Sequence, residues 1–212
     1  SLYFVIQYCP GGDLASMIKS LTGFSVSFLG VSTIRENCVP SPSFSSTLPK
    51  SCFRIAVRVE LITLDYIHTK HNAVHRDVKP ENVLLQESGH ISLTDFGTIL
   101  FLNDVVPVTD EKEKKRGRGY TFCGSSSYIS PEVLDGKVPS FSSDFWAWGC
   151  IIYQLLTGSV LFSEENEHES SSSLTHSYLI FEKITSFDVD SFAFPPSVPE
   201  SAQVITIYSF HA

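Results

Sequence analysis

The chain opens on an apolar run, "LYFVIQY" (Leu2 to Tyr8), whose β-branched and aromatic content predicts a buried strand. "CPGGDL" interrupts it, and Asp13 is placed to cap a short helix ending near Ser20. From Gly23 to Ser51 no period is sustained and serine and proline recur, which predicts a long disordered loop or insertion. Periodicity returns with Phe53, Val57, Leu61, Leu64 and His68, one stripe of a helix. "NVLL" and "ISLTD" on either side of "ESGH" predict a hairpin. "SDFWAWGCIIYQLLTG" is apolar on almost every face. Its helix is expected in the middle of a domain, started by Ser143 or Asp144 and ended by Gly158. Residues 103–120 and 163–173 are polar and read as a mobile segment and a loop. "HSYLIFEKI" reads as a short amphipathic helix halted by "FPPSVP". "PESAQ" looks like a helix start, but "VITIYSFHA" is strand-like in composition and is not expected to continue it.

Composition narrows the picture. A chain of 212 residues, 42% hydrophobic, can bury one sizeable core and part of another. The net charge of −8 argues against a nucleic-acid partner. The five cysteines form no CxxC pair, which suits free thiols in a reducing, cytoplasmic compartment better than a secreted scaffold or a zinc site. No apolar run approaches the roughly 20 residues of a membrane span, and no basic leader precedes the first strand. The chain begins with Ser1, and its one methionine is Met17, so it is expected to start mid-protein or after processing.

One loop concentrates the chemistry. "VHRDVKPENVLL" (Val74 to Leu85) holds His75, Arg76, Asp77, Lys79, Glu81 and Asn82, and "LTDFG" places Asp95 shortly after it. The predicted hairpin brings Asp77, Asn82 and Asp95 to one cleft, where three oxygen-bearing side chains suit a hard cation such as Mg²⁺ with phosphate oxygens. Lys79 adds a point charge suited to a transferring phosphoryl group. Each residue alone is most often a solvated turn; their joint spacing is rare by chance.

"HRDVKPEN", "DFG", "SPE" (Ser130 to Glu132) and "SDFWAWG" resemble the protein kinase family: its catalytic loop, metal-binding turn, activation-segment end and central helix. The resemblance covers roughly residues 1–23 and 52–200. It implies an α+β fold, mainly the α-helical C-terminal lobe of a kinase domain, with a hinge strand and small β-hairpins. Within it lie a Ser/Pro-rich insertion at 23–52 and a divergent tail at 201–212. The cofactors implied are ATP and Mg²⁺. Asp77 would orient the substrate hydroxyl and accept its proton, Lys79 would contact the γ-phosphate, and Asn82 and Asp95 would hold Mg²⁺. On the nucleotide side, Ile6 is the expected gatekeeper, and the backbones of Gln7 and Cys9 meet the adenine edge. Asp13 is expected at the ribose, Leu84 beneath the ring, and Glu81 among the ATP-binding residues. His75, Arg76, Phe96, Gly97, Ser125, Glu132 and Asp144 are expected to have structural or regulatory roles. Thr121 is the expected activating phosphorylation site, its phosphate paired by Arg76.

Lys79, two positions after Asp77, matches the serine/threonine class. "DFGT", "GCIIYQLLTG", "YLIFEKI" and "LYFVIQY" with "GGDL" are similar to the AGC group, in particular its phosphoinositide-dependent kinases. Protein substrates are implied, other AGC kinases among them. The glycine-rich loop, the strand lysine and its glutamate partner have no match here and are expected before Ser1. The family's late arginine, partner of the glutamate at Glu132, has no match, and no lipid-binding domain is recognised in this chain. Alone, the chain is expected to be inactive. A dead relative serving only as an interaction module is the competing reading, but Asp77 and Asp95 are both intact. A phosphate-binding α/β domain of another fold would need a P-loop or GxGxxG, which this sequence lacks.

Overall fold

The computed structural model describes residues 8–21, 62–86, 90–105, 126–163 and 173–212. The first strand with Ile6 and Gln7, the 23–51 insertion, Phe53, Val57 and Leu61 lie outside them. So do the hairpin turn at 87–89, most of the 103–120 and 163–173 loops, Thr121 and Ser125.

The fold is α+β and mostly helical. Helix α1 is Leu14–Leu21. Helix α2 is seen over 62–71, the second half of the predicted stripe, with Leu64 and His68 buried and Ile62 exposed. Strand β1 (Ala73–Val74) pairs antiparallel with β4 (Leu100–Phe101). β2 (Val83–Leu85) pairs antiparallel with β3 (Ile91–Leu93), with Val83 opposite Leu93, as the alternation in "NVLL" and "ISLTD" requires. Next come α3 (Pro131–Leu134), α4 (Phe141–Thr157), α5 (Ser173–Thr185) and α6 (Glu200–His211).

Helix α4 is the axis of the molecule. Every residue from Trp146 to Ile152 is buried, which is what an all-round apolar helix needs. Trp148, Ile151 and Ile152 join Leu14, Leu64, Val83 and Leu93 in one core; Trp146 and Cys150 join Phe162, Ile180 and Ile184 in a second. Burial pushes the Cys150 thiol well above its usual range. Gly158 ends the helix as expected, left-handed at φ 78 and donating to Gln154 O at 2.8 Å.

Three expectations are corrected. The cap of α4 is Ser140, not Ser143 or Asp144; the Ser140 amide donates to Ser143 Oγ at 3.1 Å, and Asp144 is buried for another purpose. Helix α5 stops at Thr185, well before "FPPSVP", where the Ser186 hydroxyl turns back to Glu182 O at 2.7 Å. The prolines instead lead into α6, with Pro199 at its N-cap. "VITIYSFHA" does not break the helix begun at "PESAQ": α6 runs through "VITIYSFH" to His211.

The physical reason lies in which side of α6 faces inward. Ala202, Thr206 and Ser209, small and spaced 4 and 3, are buried, while Val204, Ile205 and Tyr208 are exposed. Thr206 Oγ1 and Ser209 Oγ donate to Ala202 O and Ile205 O, so the buried hydroxyls are satisfied within the helix. The apolar period therefore points outward and conceals the packed face. Against α4, the Phe210 ring lies where a Cβ on Gly149 would stand, 2.7 Å away.

Candidate active site

The eight residues between β1 and β2 carry the chemistry, and Asp144 holds them from α4. Its Oδ2 accepts from His75 N at 2.8 Å and its Oδ1 from Arg76 N at 2.9 Å. Arg76 is left-handed, at φ 69, a conformation that disfavours a side chain with a Cβ. Its Nε donates to Thr98 O, and the Thr98 hydroxyl donates to His75 O at 2.9 Å. The His75 ring is fully buried; its Nε2 donates to Thr94 O at 3.1 Å and its Nδ1 accepts from Asp77 N at 3.4 Å. Burial holds the pKa of His75 below the ordinary 6.5, against the opposing pull of Asp144, the Thr94 carbonyl, Asp77 and Asp95.

Asp77 is 7% exposed. Its Oδ2 accepts from Lys79 Nζ at 2.7 Å and from Asn82 Nδ2 at 3.0 Å, and the same amide donates to Asp77 O at 2.8 Å. Its other oxygen, Oδ1, is buried without a hydrogen-bond partner. A carboxylate held by one oxygen and unpaired at the other has a lone pair left for a hydroxyl donor.

The hairpin brings Asp95 to the same place. Thr94 donates to Asn82 O twice, from N at 2.9 Å and Oγ1 at 3.0 Å, so residues 82 and 95 stand side by side at the strand ends. Asp95 is left-handed at φ 61, and its Oδ1 accepts from Gly97 N at 3.3 Å. Phe96 meets the His75 ring edge-on at 5.1 Å. The donor set fits magnesium. Asn82 commits its amide nitrogen to Asp77, which leaves its oxygen for a cation, and Asp95 supplies an exposed carboxylate. Among the described residues no three His, Cys, Asp or Glu side chains gather into a metal site.

Beside these residues, the segment before α1 docks on the edge of β2. Gly11 N donates to Leu85 O at 3.1 Å and Leu85 N to Gly12 O at 2.8 Å. A Cβ on Gly11 would stand 2.6 Å from Leu85 Cβ, so only glycine allows the approach. Asp13 caps α1 as expected, accepting from Ser16 N at 2.7 Å and Ser16 Oγ at 3.0 Å; the backbone bond lowers its pKa most. Asp13 also bridges to Leu84, which is half-buried, while Glu81 is exposed and Cys9 half-exposed. Glu132 accepts from Ser143 Oγ at 2.8 Å.

Sequence reasoning missed Thr94, Thr98 and Ser143 as clamps, and His68, which donates to Asp144 Oδ2 at 2.8 Å. A histidine on the apolar stripe of α2 was the available signal.

The protein kinase domain profile matches residues 1–207. The chain is 35% identical over 189 residues to human "3-phosphoinositide-dependent protein kinase 1", covering 89% of the chain and 26% of that protein. It is 31% identical over 200 residues to the Saccharomyces cerevisiae "Serine/threonine-protein kinase PKH2", covering 94% and 15%. Against Dictyostelium discoideum "3-phosphoinositide-dependent protein kinase B" it is 33% identical over 170 residues, covering 80% and 15%. The chain thus spans about a quarter or less of the length of these relatives.

Proposed function

The chain belongs to the protein kinase domain family, and from that premise we propose that it serves an ATP-dependent serine/threonine protein kinase. The observation that carries the reading is Asp77: buried, held at Oδ2 by Lys79 and Asn82, and unpaired at Oδ1. In this reading Asp77 orients a serine or threonine hydroxyl and takes its proton as the oxygen bonds to the γ-phosphorus and ADP leaves. Lys79 offsets charge on the transferring phosphoryl oxygens. Asn82 and Asp95 would hold magnesium, which would offset phosphate charge. Gln7 and Cys9 would meet the adenine edge and Leu84 its face. Asp13 would reach the ribose with lone pairs Ser16 does not use.

Finer points follow from the relatives' names and the motifs. We place the protein in phosphoinositide-linked signalling in the cytoplasm, with other AGC kinases as substrates. Thr121, in "YTFCG", would carry an activating phosphate paired by Arg76. No helix among the described residues is long and apolar enough to cross a membrane. The test is phosphate transfer from Mg·ATP to a serine/threonine peptide by the full-length protein bearing this chain. Turnover that Asp77→Asn removes is expected; an inert wild type would sink the reading.

A further inference from the structure

Ser143 lies in the first turn of α4, 9% exposed, and its hydroxyl serves two other parts of the chain at once. It accepts from Ser140 N at 3.1 Å and donates to Glu132 Oε1 of α3 at 2.8 Å. The direction is forced. A carboxylate can only accept, so the single hydroxyl proton points to Glu132 and a lone pair remains for the amide. A bond to a charged acceptor is also the stronger kind.

Helix α3 is the tail of a longer segment. Upstream of it the turn Ser126–Tyr128 leads through the buried Ile129 and Ser130 into Pro131. The Tyr128 hydroxyl donates to Gln154 Oε1 at 2.8 Å. Ser143 and Gln154 stand near opposite ends of α4, so the two bonds hold residues 126–134 at points roughly 16 Å apart along one helix. Between those points the Tyr128 ring packs against both hydrophobic clusters. Tyr128 also feels the charge of Glu81, so the segment runs beside the loop that carries Asp77.

We propose that Ser143 is a positioning residue for the protein substrate: its hydroxyl, bridging Ser140 N and Glu132, fixes where residues 126–134 lie beside the catalytic loop. The segment so placed is a wall along which a polypeptide reaches Asp77. With the bridge gone, the Tyr128 end stays tied to Gln154 while the Glu132 end is released. The wall then swings about one fixed point instead of lying across two. A peptide gains less from a wall that it must itself immobilise. The nucleotide loses nothing directly, because Ser143 and Glu132 touch neither Asn82 nor Asp95.

The inference rests on the kinase reading for its peptide readout alone. In the full-length protein, Ser143→Ala removes the bridge and Ser143→Thr keeps its hydroxyl. Two quantities are measured: hydrogen exchange of the Val133 and Leu134 amides by mass spectrometry, and KM for a serine/threonine peptide and for ATP. In Ser143→Ala, exchange should quicken by roughly tenfold, and KM for the peptide should rise by a similar factor. KM for ATP should stay within about twofold. Ser143→Thr should recover most of both effects. If Ser143→Ala gives too little folded protein, Ser143→Cys, a weak donor of similar shape, takes its place with the same expectations. Unchanged exchange at Val133 and Leu134 would overturn the inference, whatever the activity. KM for ATP rising in step with KM for the peptide would also overturn it, because that marks a general loss of folding. A wild type that transfers no phosphate would defeat the kinase reading, and the exchange comparison would still decide whether Ser143 holds the segment.

Discussion

At the residue scale, Asp77 and Asp95 occupy different electrical settings, and their substitutions should separate. Asp77→Asn keeps the shape but cannot accept the proton, so turnover should fall by about 10²–10⁴-fold with Mg·ATP affinity nearly unchanged. Asp95→Asn removes the exposed carboxylate at the left-handed turn and should weaken magnesium-dependent nucleotide binding. Equal losses of nucleotide affinity in the two variants would contradict these roles. His75 gives a pH signature. Its folded pKa lies below 6.5, so as pH falls past about 6.5 the unfolded chain takes up a proton that the folded one refuses. Stability should therefore decline below about pH 6.5 and not depend on this group above it. Urea midpoints that stay level between about pH 7.5 and 5.5 in the wild type would count against that sign. Most of the site was legible at this scale, because "HRDVKPEN" and "DFG" carry their own spacing. The clamps were not. Thr94, Thr98 and Ser143 act through hydroxyl and backbone groups, which no periodicity marks.

At the element scale, the two helices that pack on each other give the clearest test. Gly149→Ala would ordinarily favour a helix by about 1 kcal/mol. Here the new methyl meets the Phe210 ring, so a net loss of roughly 1–3 kcal/mol is expected. A second change, Phe210→Leu, should recover part of it, and thermal unfolding of the three variants would show this. A Gly149→Ala protein more stable than wild type would mean that α6 does not lie against α4. At the other end, Asp13→Ala should cost α1 about 1 kcal/mol through its lost cap. The contrast between α4 and α6 explains what the sequence could convey. Helix α4 announced itself because it is apolar all round and ends at Gly158. Helix α6 was hidden because its packed face is alanine, threonine and serine, while its valine and isoleucine face out. Tertiary packing against Gly149 overrode a β-prone composition.

At the scale of the whole molecule, both hydrophobic clusters converge on α4, and the loop chemistry hangs from the same helix through Asp144. Ligand at the loop should therefore stabilise the entire fold. Mg·ATP at about 100 times its Kd is expected to add roughly 2.7 kcal/mol, visible as a rise in Tm that Asp95→Asn reduces. No rise with the wild type would argue against nucleotide binding at this site. The sealed thiol of Cys150 has a different consequence: it makes the protein its own stopwatch. The sulfur lies among Trp146, Phe162, Ile180 and Ile184, and burial keeps it in the unreactive protonated form. A water-soluble alkylating reagent can reach it only in the moments when α4 and α5 part. Mass-spectrometric timing of the adduct at Cys150 would then count those openings without any engineered probe. Alkylation that keeps pace with global unfolding across a urea series would show that the two clusters open together. Alkylation that runs ahead of it would show that the aromatic half breathes while the catalytic half stays shut.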